Sequence, residues 1–251
     1  MKYITITGAS SGIGLETARF FAEMGKNLIL VARRQEKLVE LKEELLTKHP
    51  SIDIIVKKTD LSDKTEVLTL YTSLKKYDIE VWINNAGFGY YHHVRDQDLQ
   101  IVSDLIHLNV EAISLLSTLY VSEYADRKAQ LINVSSAGGY QNVTNAVSYC
   151  ATKFYVSAFT EGLALELKAS NLPLQAKVLA PAATQTEFAK IANHLENYDY
   201  SKGFSTYHTA KEIAQFLIEL YESDQIVGLV DRNTFSFVLS DPIFPHTYKS
   251  N

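Results

Sequence analysis

Residues 3–7, YITIT, form a short β-branched run that opens directly into Gly8-Ala9-Ser10-Ser11-Gly12-Ile13-Gly14, and a helical pattern starts at once. A strand that turns on glycines straight into a helix cannot form a hairpin with its successor. The next strand then lies parallel to it, with the helix crossing one face of the sheet. The same device recurs. Glycine is scarce, at 11 of 251 residues, yet Gly8, Gly12, Gly14, Gly87, Gly89, Gly138 and Gly139 crowd three loops, behind apolar runs at 3–7, 81–83 and 131–134. Runs at 28–32, 52–56, 174–180 and 226–230 bring the expected strands to seven, and helical patterns occupy 12–24, 35–48, 63–77, 98–124, 148–170 and 209–222. In 98–124, Ile101, Leu105, Leu108, Leu115, Leu116 and Leu119 recur at three- and four-residue steps.

This alternation predicts an α/β fold: a doubly wound, seven-stranded parallel sheet with helices on both faces. No linker, charge block or repeat interrupts it, so one domain over 1–251 is expected. Two segments fit poorly: 182–208, read either as a lid over the carboxyl ends of the strands or as an ordinary surface excursion, and 232–251, an aromatic C-terminal tail with Phe235, Phe237, Phe244 and Tyr248.

Charge and cysteine content narrow the setting. A net charge of −5 without a Lys/Arg-rich run argues against nucleic acid. The lone Cys150 excludes an internal disulfide framework and leaves too few thiols for a structural zinc site. No uninterrupted apolar run of about 18 residues occurs, and the opening MKYITITGAS lacks a signal-type apolar core, so a cytoplasmic protein with no membrane partner is expected.

A glycine turn at the N-terminus of a helix lets backbone N–H groups approach a pyrophosphate. Folds that bind NAD place an acid at the end of the second strand, against the ribose hydroxyls. Here that strand ends Val31-Ala32-Arg33-Arg34, two guanidinium groups suited to a 2′-phosphate. NADP(H) is therefore expected over NAD(H), although Arg33 and Arg34 also suit the solvated start of a helix. Asp60, after the third strand, suits either the adenine amino group or a helix cap.

Tyr149 and Lys153 stand one helical turn apart. The spacing alone is uninformative, because it recurs at Tyr71/Lys75, Tyr124/Lys128, Tyr198/Lys202 and Tyr207/Lys211. Ser136 distinguishes this pair: it lies 13 residues upstream, at the end of the fifth strand, with Gly138 and Gly139 opening the loop between. Reduction of a carbonyl by hydride leaves an alkoxide, which needs a donor to hold it and an acid to protonate it. Ser136 would hold the oxygen, Tyr149 would act as the acid with its pKa lowered by the Lys153 ammonium, and Lys153 would also bind the nicotinamide ribose.

In this order the motifs resemble those of the short-chain dehydrogenase/reductases of the single-domain Rossmann type, over roughly residues 2–230. Thr7 to Gly14 resembles the family's TGxxxGxG loop, and Asn84-Asn85-Ala86-Gly87 its NNAG motif. Asn109 falls where the family carries a helix-kinking asparagine that holds a relay water, and with Ser136, Tyr149 and Lys153 it completes a catalytic tetrad. The resemblance implies cofactor contacts from Gly8, Ser10, Ser11, Gly12, Ile13 and Gly14, then Arg33, Arg34, Asp60 and Leu61, then Asn85, Ala86 and Gly87, then Tyr149 and Lys153, and finally Pro181, Thr184 and Thr186. After the sixth strand the family's PGxxxT reads Pro181-Ala182-Ala183-Thr184-Gln185-Thr186 here, so Ala182 replaces a glycine and would be strained if its φ were positive.

Tyr90-Tyr91-His92-His93 reads as a pocket rim rather than a metal site, and Tyr140, Gln141, Asn142, Val143 and Phe188 as further pocket lining. No metal is expected, and Cys150 reads as a packing residue. The excess of apolar positions on 98–124 and 148–170 implies, by the same resemblance, a homodimer or homotetramer, with the tail available to a neighbour. A small carbonyl or alcohol is the expected substrate; the alternative is a protein that senses NADP(H) without turnover.

Overall fold

A computed structural model describes residues 1–193, 195, 199–200 and 205–247. Six strands follow in chain order: β1 (Lys2–Thr7), β2 (Asn27–Ala32), β3 (Ile54–Lys58), β4 (Asp78–Asn84), β5 (Gln130–Val134) and β6 (Gln175–Ala180). A short parallel pair, β7 (Thr184–Gln185) and β8 (His208–Thr209), comes next, then β9 (Val227–Val230) and β10 (Phe237–Ser240). The main sheet has the order β10-β9-β6-β5-β4-β1-β2-β3. Its strand order reverses between β1 and β4, the place where such sheets leave a crevice for a ligand.

Strand alternation explains the two layers of helix. In β1 and β2, Ile4, Ile6, Leu28 and Leu30 face one side, and Tyr3, Ile29 and Val31 the other. The first face is covered by α1 (Gly12–Glu23), α2 (Gln35–Lys48) and α8 (Ala210–Glu222), which supply Phe21, Leu38, Leu41, Ile213 and Leu217. The second is covered by α3 (Lys64–Leu74), α5 (Ile113–Tyr124) and α6 (Val147–Ala169), through Val67, Leu70, Leu116, Tyr120 and Leu167. Thr209 and Glu212 close a reciprocal capping box at the start of α8.

The expected seven parallel strands are all present, but the sheet has eight. The addition, β10, pairs antiparallel with β9. Asp231 makes the hairpin by accepting from the N–H groups of Asn233 and Thr234 at 2.9 and 2.8 Å. Phe237 then lies over Gly228 and stacks on Phe216, with ring centroids 4.4 Å apart. The Asp231–Thr234 turn has no glycine, and β10 spans only four residues, so the segment read as a tail in sequence.

The predicted helix 98–124 is α4 (Leu99–Ile106), a π-helical turn His107–Ala112, and α5. By length and composition Leu99–Tyr124 could cross a membrane; here Leu105, Asn109, Ala112, Ser117 and Tyr120 are buried in the fold. The extra residue of the π turn turns Asn109 inward. A buried polar network also registers the sheet against the helices. Asn84 on β4 donates to Asn133 on β5 at 2.9 Å, and Asn133 donates to Thr160 on α6 at 2.9 Å. Because an unsatisfied partner would cost the full desolvation penalty, this network fixes α6 relative to the strand ends.

Candidate active site

The three glycine loops converge at the carboxyl ends of β1, β4 and β5. Gly8 and Gly12 have φ of +69° and +57°, which side chains rarely adopt. A Cβ on Gly14 would lie 2.5 Å from the Gly8 carbonyl oxygen, so the first turn of α1 presses against its own loop. Thr7 ties this loop to the next: its Oγ1 accepts from the N–H groups of Asn85 and Ala86 at 2.9 and 3.0 Å. Asn85 returns a bond from Nδ2 to the Thr7 carbonyl at 2.9 Å. Ser11 makes no side-chain cap, and the first turn of α1 holds no acid. Its N–H groups and positive dipole end are therefore left for an anion, which fits a dinucleotide pyrophosphate. Ile13 packs against the core beneath.

Arg33 and Arg34 lie beside this cradle in different settings. Arg34 Nη2 donates to Ser11 Oγ at 2.7 Å, and its Nε and Nη2 to Ser10 Oγ at 3.3 Å. Arg33 is 71% exposed at its side chain and 4.0 Å from Asp60. Asp60 accepts from the N–H and hydroxyl of Ser62, making a turn, and the cap of α3 is Asp63. Leu61 is buried behind it.

Tyr149 and Lys153 are buried on α6, and Ser136 sits at the end of β5. Lys153 Nζ donates to the Val134 carbonyl at 3.0 Å and lies 5.9 Å from the Tyr149 ring centre. Gly138 fits between the two chains: a Cβ there would come 3.4 Å from Ser136 Oγ and 3.8 Å from Tyr149 Cε1. Gly87 performs the same service on the other side, with Asn109 Oδ1 at 3.1 Å and Lys153 Nζ at 3.4 Å from its would-be Cβ. The four sequence candidates thus meet in one cluster.

Two expectations about this cluster change. Burial, with the neighbouring Tyr91 adding to it, pushes the Tyr149 phenol well above its ordinary pKa, and a hydrogen bond with Ser136 only partly offsets it. Burial thus outweighs the downward shift expected from Lys153, which is itself desolvated and lowered to about 8. Asn109 is first a brace: its Nδ2 donates to the Phe88 carbonyl at 2.9 Å and to Thr152 Oγ1 at 3.2 Å, while its Oδ1 accepts from the Phe88 N–H at 3.2 Å. Both amide protons are spent, so a relay water would have to use the remaining lone pair of Oδ1 or the main chain.

Pro181 accepts from the Ala137 N–H at 2.8 Å, joining the end of β6 to the Ser136 loop. Ala182 is not among the residues with positive φ, so it replaces the family's glycine without strain. Thr184 Oγ1 donates to the Ala182 carbonyl at 2.9 Å, and Thr186 puts its methyl 3.1 Å from the would-be Cβ of Gly12. Helix α7 (Phe188–Ala192) follows; Phe188 lies 5.4 Å from Tyr149 and Tyr91 5.8 Å, ring centre to ring centre. The Tyr91 N–H donates to the Ala192 carbonyl at 2.9 Å. Of 182–208, positions 194, 196–198 and 201–204 lie outside the described residues, as does Tyr248.

The expected pocket lining is partly corrected. Tyr91 and Phe188 lie against the Tyr149 ring, in one apolar cluster with Phe88, Tyr90 and Val143. Tyr140 does not join them: its hydroxyl donates to the buried Glu161 carboxylate at 2.6 Å and its ring stacks on Phe244 at 5.2 Å. Glu161 also accepts from the N–H groups of Ile243 and Phe244 at 2.7 and 2.9 Å, so the tail up to Phe244 folds onto its own chain. His92 packs near Tyr90. Among the described residues no cluster of three His, Cys, Asp or Glu could hold a metal ion. Cys150 is buried, which pushes its thiol up.

Four residues here had no assigned role in the sequence. Thr7 belonged to a recognised motif; Thr152, which receives Asn109, lies inside the Tyr149/Lys153 turn. Glu161 and Glu187 carry no local signal, because each acts on residues remote in the chain: Glu187 pairs with Arg34, 153 positions away.

A mostly parallel sheet of this order, with a glycine cradle at its switch point and a Ser, Tyr and Lys cluster beside it, defines a nucleotide-binding α/β oxidoreductase. The pattern of the short chain dehydrogenase family matches residues 2–197, and the chain belongs to that family. It is 32% identical to an uncharacterized oxidoreductase of Staphylococcus saprophyticus over 79% of each chain. It is 30% identical to the NADP-dependent 3-hydroxy acid dehydrogenase of Schizosaccharomyces pombe, covering 93% of this chain and 92% of that one. Among solved structures, a short-chain dehydrogenase from Sphingobium yanoikuyae in complex with NADPH superposes with a TM-score of 0.84 at 25% identity, covering 93% of this chain and 89% of the other.

Proposed function

We propose that this protein is an NADP(H)-dependent oxidoreductase that transfers hydride between the nicotinamide and a carbonyl or secondary alcohol of a small, largely apolar substrate. The observation that carries the reading is the meeting of Ser136, Tyr149 and Lys153 beside a glycine cradle that opens a helix with no acid in its first turn. A bound nicotinamide supplies or accepts the hydride. Ser136 holds the substrate oxygen, and Tyr149 gives it a proton as negative charge develops. Burial keeps the phenol protonated at neutral pH, so a proton is in place for the oxygen as its charge develops. Lys153 supports the phenol and binds the ribose, while Asn109 holds the Phe88 loop and α6 at the spacing this requires. The rings of Tyr91 and Phe188 favour an apolar group on the carbonyl.

Arg33 and Arg34 favour NADP(H), in line with the NADP-dependent Schizosaccharomyces pombe relative and the NADPH-bound Sphingobium structure. A hydrogen bond between charged groups contributes about 1.5–3 kcal/mol, so Arg33→Ala and Arg34→Ala should each weaken NADPH by about tenfold or more and NADH far less. Fluorescence titration with both cofactors tests this; equal losses would reduce the arginines to a solvated face.

The pH dependence of reduction has a definite sign. Tyr149 stays protonated through neutrality, and Lys153 carries its charge below about 8. The kcat/KM for carbonyl reduction should hold below that pH and fall above it as the ammonium is lost. A rate rising through pH 8 would contradict the assignment.

Helices α4 to α6 expose Ile106, Val147 and Tyr155 and join through Ser114 Oγ and Tyr155 OH at 2.8 Å, a face suited to pairing two copies into a homodimer or homotetramer. A cytoplasmic setting agrees with the single, buried cysteine.

A further inference from the structure

We propose that Glu187 sets the strength of the cofactor preference, as an internal counter-anion that the 2′-phosphate must displace from Arg34. The proposal rests on the NADP(H) reading above. Glu187 Oε2 accepts from Arg34 Nη2 at 2.9 Å and Oε1 from Nη1 at 3.3 Å, a two-point fork. With Ser10 and Ser11 on its other edge, Nε, Nη1 and Nη2 of Arg34 are all engaged. The guanidinium's hydrogen bonds hold the Glu187 carboxyl below its usual range.

Position makes this pair more than a surface contact. Thr186 lies against Gly12 of the cradle, so the next residue brings its negative charge to the rim where an anionic ligand arrives. A 2′-phosphate carries close to two negative charges and competes for the same fork. To bind, it must break the Arg34–Glu187 pair or tolerate the carboxylate beside it; NADH meets neither cost. Both side chains are about half exposed, at 42% and 51%, so solvent screens the pair and its effect is moderate.

Glu187→Gln keeps the shape and removes the charge. The ratio of the dissociation constant for NADH to that for NADPH, read by equilibrium titration at low salt, should rise about three- to fivefold in this variant. In an Arg34→Ala background the same change should leave the ratio within about twofold, since no fork remains to contest. If Arg34→Ala lowers the wild-type ratio but Glu187→Gln does not raise it, Glu187 is only a contact of the 184–192 segment and the inference falls while the NADP(H) reading stands. If neither variant changes the ratio and the wild type shows no preference for NADPH, both fall together.

Discussion

Tyr149→Phe removes turnover, lowering kcat by about a thousandfold, while the dissociation constant for NADPH stays within about twofold of wild type. The substitution deletes one hydroxyl and keeps the ring. The contacts of that ring with Tyr91 at 5.8 Å and Phe188 at 5.4 Å persist, so the pocket keeps its shape. The deleted group is the acid. Ser136 can still hold the substrate oxygen, but its aliphatic hydroxyl is too weak an acid to replace the phenol as proton donor. Lys153 keeps its bond to Val134 and stays available to the ribose. Stopped-flow turnover and fluorescence titration separate the two effects, and a loss of NADPH affinity equal to the loss of kcat would mean that Tyr149 is a binding residue.

Gly139→Ala should be nearly as damaging, through the backbone. A Cβ at this position would lie 2.5 Å from Ser135 Oγ, 2.6 Å from the Lys153 carbonyl oxygen and 2.6 Å from Ser157 Oγ. The carbonyl belongs to α6 and cannot swing aside as a side chain can. The Ser136 loop must therefore lift from α6, separating Ser136 from Tyr149 and breaking the bond from Ser135 Oγ to the Lys153 carbonyl. Overpacking of this kind costs about 1–3 kcal/mol, a fall in Tm of roughly 2–12 °C for a chain of this size. A displacement of about 1 Å at the oxygen-holding group costs about a hundredfold in rate. Unchanged Tm and kcat in the Ala variant would show that the loop does not depend on this close approach.

The sequence was most legible where the physics is local. Glycines at 8, 12 and 14 behind a β-branched run can serve few purposes, and the structure uses two of them for positive φ and the third for close approach. The periodicity of 98–124 marked one helix but could not reveal the π turn, which depends on Asn109 finding Phe88 and Thr152 across the fold. The eighth strand was hidden because its stabilising contact, Phe237 on Phe216 and Gly228, joins distant segments. Tyr140 was misplaced for a similar reason: its partner Glu161 sits two helical turns beyond Lys153, and nothing near Tyr140 announces it. The electrostatics went the same way. Proximity to Lys153 implied an acidified phenol, whereas the depth of burial, unreadable from spacing, raises it.

Isotopic labelling tests hydride transfer to a carbonyl held beside Tyr149 directly. The protein would be incubated with NADPH carrying deuterium at both C4 positions of the nicotinamide and a panel of apolar aldehydes and ketones, and the alcohols examined by mass spectrometry. The account predicts alcohol carrying one deuterium at the former carbonyl carbon with the wild-type protein, and about a thousandfold less with Tyr149→Phe. Unlabelled alcohol, or equal labelling by both proteins, would contradict it.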